Sequence, residues 1–394
     1  MLQQEIPIHS IPKMMNSTTG FLIESRVAIV HDSFAENEQA DFVLHELATM
    51  LPGADILSAL RVDEPLTKDA PSRTLRSTWM RHLPVQESTP REYLVFHPFA
   101  IKALDLSQYD VVVSNCGGFA KTAKHAETAV HICYCHATAH FAEHRADRSS
   151  EKPANSATHI YLKPLLAGLR HMDVRYSGGP DYYIAKSRVV AEQIKERYGR
   201  NSYVVYPPID ISKYHVRSNV GDHLLIVSSL TSHKRIDLVI AACNSVHKPL
   251  LIVGDGPDKA RLEALAGPTI QFLGWRTDDE LVDLLAHCEA VFCPDVEKEF
   301  DAMPLKANAS GRPAISYAAG TALETIADGE TGVLCRQYSR PAVVDAIESC
   351  GRLTWDPALL QAHTRRFDVE AFRGHFATVL NDIVGDRLMP RAAV

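Results

Sequence analysis

Four side chains able to carry charge or a proton, Lys234, His136, Lys298 and Lys306, stand where short apolar runs give way to turns, and their placing points to the handling of an anion. Pro304 sits early in a helix-compatible run, with Leu305, Ala307 and Ala309, that ends at Gly311. A proline costs nothing there, because its missing N–H would have had no partner. The unpaired N–H groups and the dipole of such a helix start favour negative charge; at the carboxyl ends of parallel strands the obvious anion is a phosphate. Lys234 follows the apolar run 224–227 and is read as opening a helix, where its ammonium can meet a diphosphate. His136 follows the run 130–134, and His140 and His144 recur at i+4 and i+8. On a helix those three imidazoles would share a face that zinc could use, but no metal is called for.

These residues need parallel strands to hold them, and the chain supplies two sets. Apolar runs of buried-strand type occur at 26–31, 54–57, 111–114, 130–134 and 183–185, separated by helical stretches such as the one carrying Phe42, Val43, Leu47 and Leu51. A second set lies at 224–227, 250–253, 270–273, 290–293 and 314–316. Between the sets, Tyr206-Pro207-Pro208-Ile209-Asp210 forms a stiff connector. The alternation predicts an α/β protein with two Rossmann-like doubly wound parallel-sheet domains. The boundaries are an irregular extension at 1–24, a first domain at 25–207, a second at 208–368, and a helical segment at 369–394 that returns to the first domain. Within the second domain, 296–334 is expected to hold a helix start, a glycine turn, the strand 314–317, another glycine turn and a second helix.

At 394 residues the chain is too long for one ordinary core, and its 46% apolar and 23% charged content is that of a globular protein. No run approaches the roughly 20 apolar residues needed to span a bilayer. A net charge of −7 without a basic tail argues against a nucleic-acid partner. Eight cysteines without zinc-ribbon spacing point to a reduced, cytoplasmic setting. Among them Cys133 and Cys135 are read as core residues facing opposite layers.

In Phe300, Pro304, Ala307, Gly311-Arg312-Pro313, Ala322-Leu323-Glu324-Thr325 and Gly329-x-Thr331-Gly332, the chain resembles family 4 glycosyltransferases, retaining enzymes of the GT-B fold. The resemblance extends over about 25–385 through His31-Asp32, 131–136, Ser187-Arg188, Lys234-Arg235-Ile236-Asp237-Leu238 and Gly254-Asp255-Gly256-Pro257, in the manner of a mannosyl- or rhamnosyl-type branch. It implies two domains facing a cleft, a nucleotide-sugar donor (GDP favoured) on the second and an acceptor on the first. It implies no cofactor and no metal. Peripheral membrane contact is expected where the acceptor is lipid-linked, and a homo-oligomer is left open.

The resemblance also assigns residues. Lys234 matches a diphosphate-binding lysine, Met303, Pro304, Leu305 and Lys306 lie along the nucleotide, Gly254 and Gly256 line its pocket, Arg276 reaches the base or solvent, and His136 stands near the sugar. Five positions depart from the pattern. Ser229 replaces an arginine, Gln39-Ala40 replaces a glycine pair, and Lys298 and Lys306 replace the two glutamates of Glu-x7-Glu. Losing the arginine removes a bidentate fork that a serine cannot imitate, so one or both of Lys298 and Lys306 are expected to turn toward the phosphates. Lys306, with no acceptor, cannot take hydrogen bonds from a ribose. Glu299, or Glu297, is the replacement expected beside the transferred sugar, with Lys298. His140 falls where the family carries an arginine. The primary expectation is a transferase, with an unusual donor or a small natural-product acceptor as a variant; the alternative is a GT-B pseudoenzyme that binds or scaffolds.

Overall fold

Strands apolar on both faces must be covered on both sides, and the Val-, Ile- and Leu-rich runs lie at the centre of two parallel sheets. The structure is a computed structural model of the chain, and it describes residues 25–32, 38–59, 75–82, 96–138, 158–295 and 300–388. The first sheet contains β1 (Val27–His31), β2 (Asp55–Ser58), β3 (Leu75–Ser77), β4 (Val111–Cys116), β5 (Val130–Cys135), β6 (Tyr182–Ala185) and β7 (Tyr203–Val204). The second contains β8 (Leu224–Val227), β9 (Leu250–Val253), β10 (Ile270–Gly274), β11 (Ala290–Cys293), β12 (Ala314–Tyr317) and β13 (Gly332–Cys335).

Strand order is β3-β2-β1-β4-β5-β6-β7 in the first sheet and β10-β9-β8-β11-β12-β13 in the second, with the described pairings parallel. Each order reverses once, between β1 and β4 and between β8 and β11. At such a reversal the loops leaving neighbouring strands run to opposite faces, which opens a crevice at the carboxyl ends.

The chain divides into two compact units, Met1–Pro207 with Phe372–Val394, and Pro208–Ala371. The parting falls between two consecutive prolines. The helix Val369–Leu388 belongs to the first unit for most of its length: Phe372, Phe376, Val379, Leu380 and Ile383 recur at helical spacing and pack with Val43, Leu47 and Tyr134. The Phe372 and Phe376 rings lie 6.1 and 6.4 Å from that of Tyr134, and Arg373 donates to the buried Glu46 at 2.7 Å. The extension 1–24 lies outside the described residues.

Three strands escape the apolar-run criterion. β3 and β7 are two or three residues long and lack a fully buried position, and β13 is hidden in what reads as a glycine turn. The second helix of 296–334 is a single turn, Ala322–Thr325. Cys133 and Cys135 are core residues but face the same layer, with Cys116, because a spacing of two returns a strand to the same face.

The helix Met303–Ala309 ends in a Schellman arrangement. Gly311 takes φ 71°, its N–H donates to Asn308 O at 2.9 Å and that of Arg312 to Ala307 O at 2.9 Å. The turn aims the buried Arg312 at the last turn of another helix, Asp278–His287. Its Nε and Nη2 donate to Ala286 O at 3.0 and 2.8 Å, and Nη2 to Arg217 O at 2.5 Å. The fork satisfies carbonyls that have no partner within their own segment. Arg312→Lys keeps the charge but not the fork, so unfolding in urea should show a loss of about 1–3 kcal/mol with an unchanged m-value.

Candidate functional site

The β8–β11 crevice of the second unit collects charge. Beyond β8 the chain passes through Ser228, Ser229 and Leu230 into a single 3-10 turn, Ser232–Lys234, and the helix Ile236–Val246 begins only after Arg235, which takes φ 51°. Contrary to expectation, Lys234 therefore does not open that helix; it closes the turn before it, because Arg235 breaks the helical path in the left-handed region. Its ammonium reaches across the reversal to Asp295, two residues past β11, in a close ion pair whose side chains are 12% and 26% exposed. The nearest anion to Lys234 is thus supplied by the chain.

Beside it, the helix Met303–Ala309 starts with Pro304 in its first turn. Asp301 Oδ1 accepts from Met303 N at 2.9 Å, and Asp301 N donates to Thr321 Oγ1 at 3.3 Å. A carboxylate already occupies this helix start. Burial pushes the Asp301 carboxyl up to about 6, and the Asp295 charge adds to the rise; the Met303 N–H, Lys234 and Lys306 pull the other way. Lys234 and Lys306 thus act on one carboxylate. Pro304 and Leu305 are buried and Met303 and Lys306 partly buried. Lys298, Glu297 and Glu299 lie outside the described residues, as do His140 and His144. Among the described residues no group of three or more His, Cys, Asp and Glu could hold a metal, and no helix is long and apolar enough to cross a membrane.

The other assigned residues of this unit divide by role. Gly254, at φ 130°, and Gly256 sit where two loops touch, and a Cβ at either would stand 2.0 Å from Ser228 O or 2.3 Å from Leu230 O. Only glycine allows that approach. Leu230 N donates to Asp255 O at 2.9 Å and Asp258 N to Leu230 O at 3.0 Å, so the glycine turn fastens the loop that leads to Lys234. Ser229 is exposed on that loop. Arg276, 34% exposed, faces Glu280 at 3.6 Å on the helical surface.

The first unit carries a different set at its own reversal. Asn115, near the end of β4, places Nδ2 at 3.0 Å from His31 Nδ1 on β1 and 2.8 Å from Ala40 O, and Oδ1 at 2.5 Å from His136 Nε2 just past β5. His31, Asn115 and His136 are buried. His31 Nε2 lies 3.3 Å from the half-exposed Asp41. Asp32 accepts from Gly118 N at 2.8 Å, and the His136 ring meets Tyr134 edge-on at 5.1 Å. Gln39 and Ala40 lie in the first turn of the helix Glu38–Met50, where the Ala40 carbonyl fixes Asn115.

Asp295, Asp301, Asn115 and Asp41 escape a motif reading. Asp301 alone leaves a local signal, since an aspartate two residues ahead of a helix start is a capping pattern. The others act on partners in other elements, Asp295 on one 61 residues away.

Residues 221–351, which contain the whole charged crevice, match the family described as glycosyl transferases group 1. The chain is 34% identical over 108 residues to a GDP-mannose-dependent alpha-mannosyltransferase of Mycobacterium tuberculosis, covering 27% of this chain and 28% of that protein. It is 27% identical over 208 residues to the D-rhamnosyltransferase WbpZ of Pseudomonas aeruginosa, covering 49% of this chain and 53% of that protein. The chain spans between 19% and 53% of the length of the first curated relatives it matches. Among solved structures, Anabaena Alr3699/HepE in complex with UDP and glucose superposes with a TM-score of 0.64 and 16% identity, over 90% of this chain and 99% of that one. At that identity the likeness shows the fold, which is GT-B.

Folded Asp301 holds its proton to about pH 6, whereas its ordinary value is 3.8, so folding takes up a proton between those limits. Its contribution to stability is full below about 3.8 and is lost as pH rises through about 6. Asp301→Asn keeps the Met303 acceptor and removes the charge. Denaturant unfolding should show a gain on the order of 1–2 kcal/mol at pH 8 and a flatter pH dependence between about 4 and 6. An unchanged slope would place the titration elsewhere.

Proposed function

We propose that the protein is a retaining glycosyltransferase that takes a sugar from a nucleoside-diphosphate donor, GDP-linked by preference, and passes it to an acceptor hydroxyl. The observation that carries this reading is Lys234 at the β8–β11 reversal, inside the segment that matches glycosyl transferases group 1. Proteins similar to this chain are transferases, one of them named for GDP-mannose, which favours catalysis over a pseudoenzyme.

In the proposed step the bond from the sugar's anomeric carbon to the diphosphate oxygen breaks and its electron pair leaves with the diphosphate. The acceptor oxygen attacks from the same face, and its proton passes to the departing phosphate oxygen. Lys234 and Lys306 oppose the charge that develops on the diphosphate. Lys298 is assigned to the same task and Glu299 to the oxocarbenium-like centre. Ser229 and Leu305 offer polar or backbone groups to the nucleotide, Met303 lies along it, and Arg276 is assigned to reach the nucleotide's base. Protein cations rather than a metal carry the leaving group. The first unit, whose reversal holds imidazoles and an amide rather than cations, is assigned the acceptor hydroxyl; a lipid-linked acceptor would bring peripheral membrane contact.

The Asp295 carboxylate has to leave Lys234 before a diphosphate can take its place, and an ionised Asp301 repels that diphosphate. Donor binding should therefore tighten as pH falls through about 6, and Asp301→Asn should remove this dependence.

Thermal unfolding with GDP, UDP and ADP tests the reading directly. A nucleotide at a hundred times its dissociation constant should stabilise by about 2.7 kcal/mol. Lys234→Met should abolish the effect, and Lys306→Glu should weaken binding roughly tenfold or more, near 1.4 kcal/mol. No stabilisation by any of the three nucleotides would contradict the proposal.

A further inference from the structure

Three aromatic side chains of the first unit stand together at its surface. Trp79 is 45% exposed, Phe96 44% and Phe99 60%. A single exposed apolar residue needs no explanation, but a contiguous group of them does. The Trp79 and Phe96 rings meet edge-on at 6.2 Å. Phe96 stands at the N-cap of the helix His97–Lys102, and Phe96, Phe99 and Lys102 recur at every third residue along one side of it. Lys102 carries the row onward, with its Nζ 3.6 Å from the centre of the Tyr176 ring. Lys102, and after it Arg175, hold the Tyr176 hydroxyl below its ordinary range, so two cations converge at that end. Val174, next to Arg175, is half exposed. At the other end Arg81 and His82, both exposed, share the turn of Trp79.

The charge of this face has one sign. Residues 75–82, 96–102 and 174–180 contain no aspartate or glutamate. Asp173 is buried against Lys121, and Asp105, just past the helix, takes both donors of Ser107.

We propose that this face docks on an anionic lipid bilayer, with the aromatic rings entering the headgroup layer and Arg81, Lys102 and Arg175 meeting the lipid phosphates. The chain carries a net charge of −7, so as a whole it is repelled by such a bilayer, and this face is the one turned toward it. A second copy of the chain would set the same cations against themselves across a twofold axis. The buried side of the helix shows where the face lies. Burial pushes the His97 imidazole down and the Asp32 charge, just past β1, opposes the fall, so the helix runs beside the carboxyl end of β1. The face therefore borders the reversal assigned to the acceptor. That the bilayer delivers a lipid-linked acceptor rests on the transferase reading; the docking face does not.

Flotation of the full chain with vesicles tests this. The protein should float with phosphatidylcholine and phosphatidylglycerol mixed in roughly equal parts, and far less with phosphatidylcholine alone. Raising the salt should release it. Trp79→Ser with Phe99→Ser should weaken binding about tenfold or more, and so should Lys102→Gln with Arg175→Gln. These surface changes should leave the thermal midpoint and the response to GDP unaltered. The chain has three tryptophans, so Trp275→Phe with Trp355→Phe leaves Trp79 as the reporter. Its emission should shift to the blue on the mixed vesicles and be quenched by lipids brominated on the acyl chain.

No flotation with the mixed vesicles overturns the proposal. So does flotation in which the Trp79 emission stays unmoved, since another surface would then be binding. Self-association that Phe99→Ser abolishes, without flotation, would give the face to a second copy. Stabilisation by GDP is measured on the same samples. Its absence alongside flotation would overturn the transferase reading and leave the docking face standing; its presence without flotation would do the reverse.

Discussion

The ion pair between Lys234 and Asp295 bridges the place where the second sheet reverses its strand order, and the chemistry of that unit is arranged around it. The reversal leaves a crevice between the loops after β8 and β11. Covering a lysine to 12% exposure without an anion would be costly, and Asp295 meets that need. A bound diphosphate could meet it equally well. Beside the pair, burial and then the Asp295 charge raise the Asp301 carboxyl, and the Met303 N–H opposes them.

The first unit repeats the topology with different contents. Its reversal between β1 and β4 is spanned by the contact between Asn115 Nδ2 and His31 Nδ1. The same fold rule makes both places, and their side chains differ.

Most of the fold was legible because parallel strands buried on both faces must be apolar throughout. β8, β9 and β11 coincide with apolar runs to the residue. β3 and β7, short edge strands with partly exposed side chains, carry no such signature, and β13 begins at a glycine that reads as a turn. The site was legible in part. Lys234 and His136 stand out because each follows a strand, and Gly254 and Gly256 because backbone contact requires glycine. Asp295 and Asn115 do not, since their roles come from partners in other elements that no local spacing encodes. Arg235 shows the limit from another side: a single residue in the left-handed region leaves Lys234 outside the helix it was expected to open.

The most direct measurement is a crystal structure of the chain grown with GDP. The account predicts the Lys234 ammonium at about 3 Å from a phosphate oxygen, with the Asp295 carboxylate turned away from it. GDP bound elsewhere while the Lys234–Asp295 pair stays closed would contradict it.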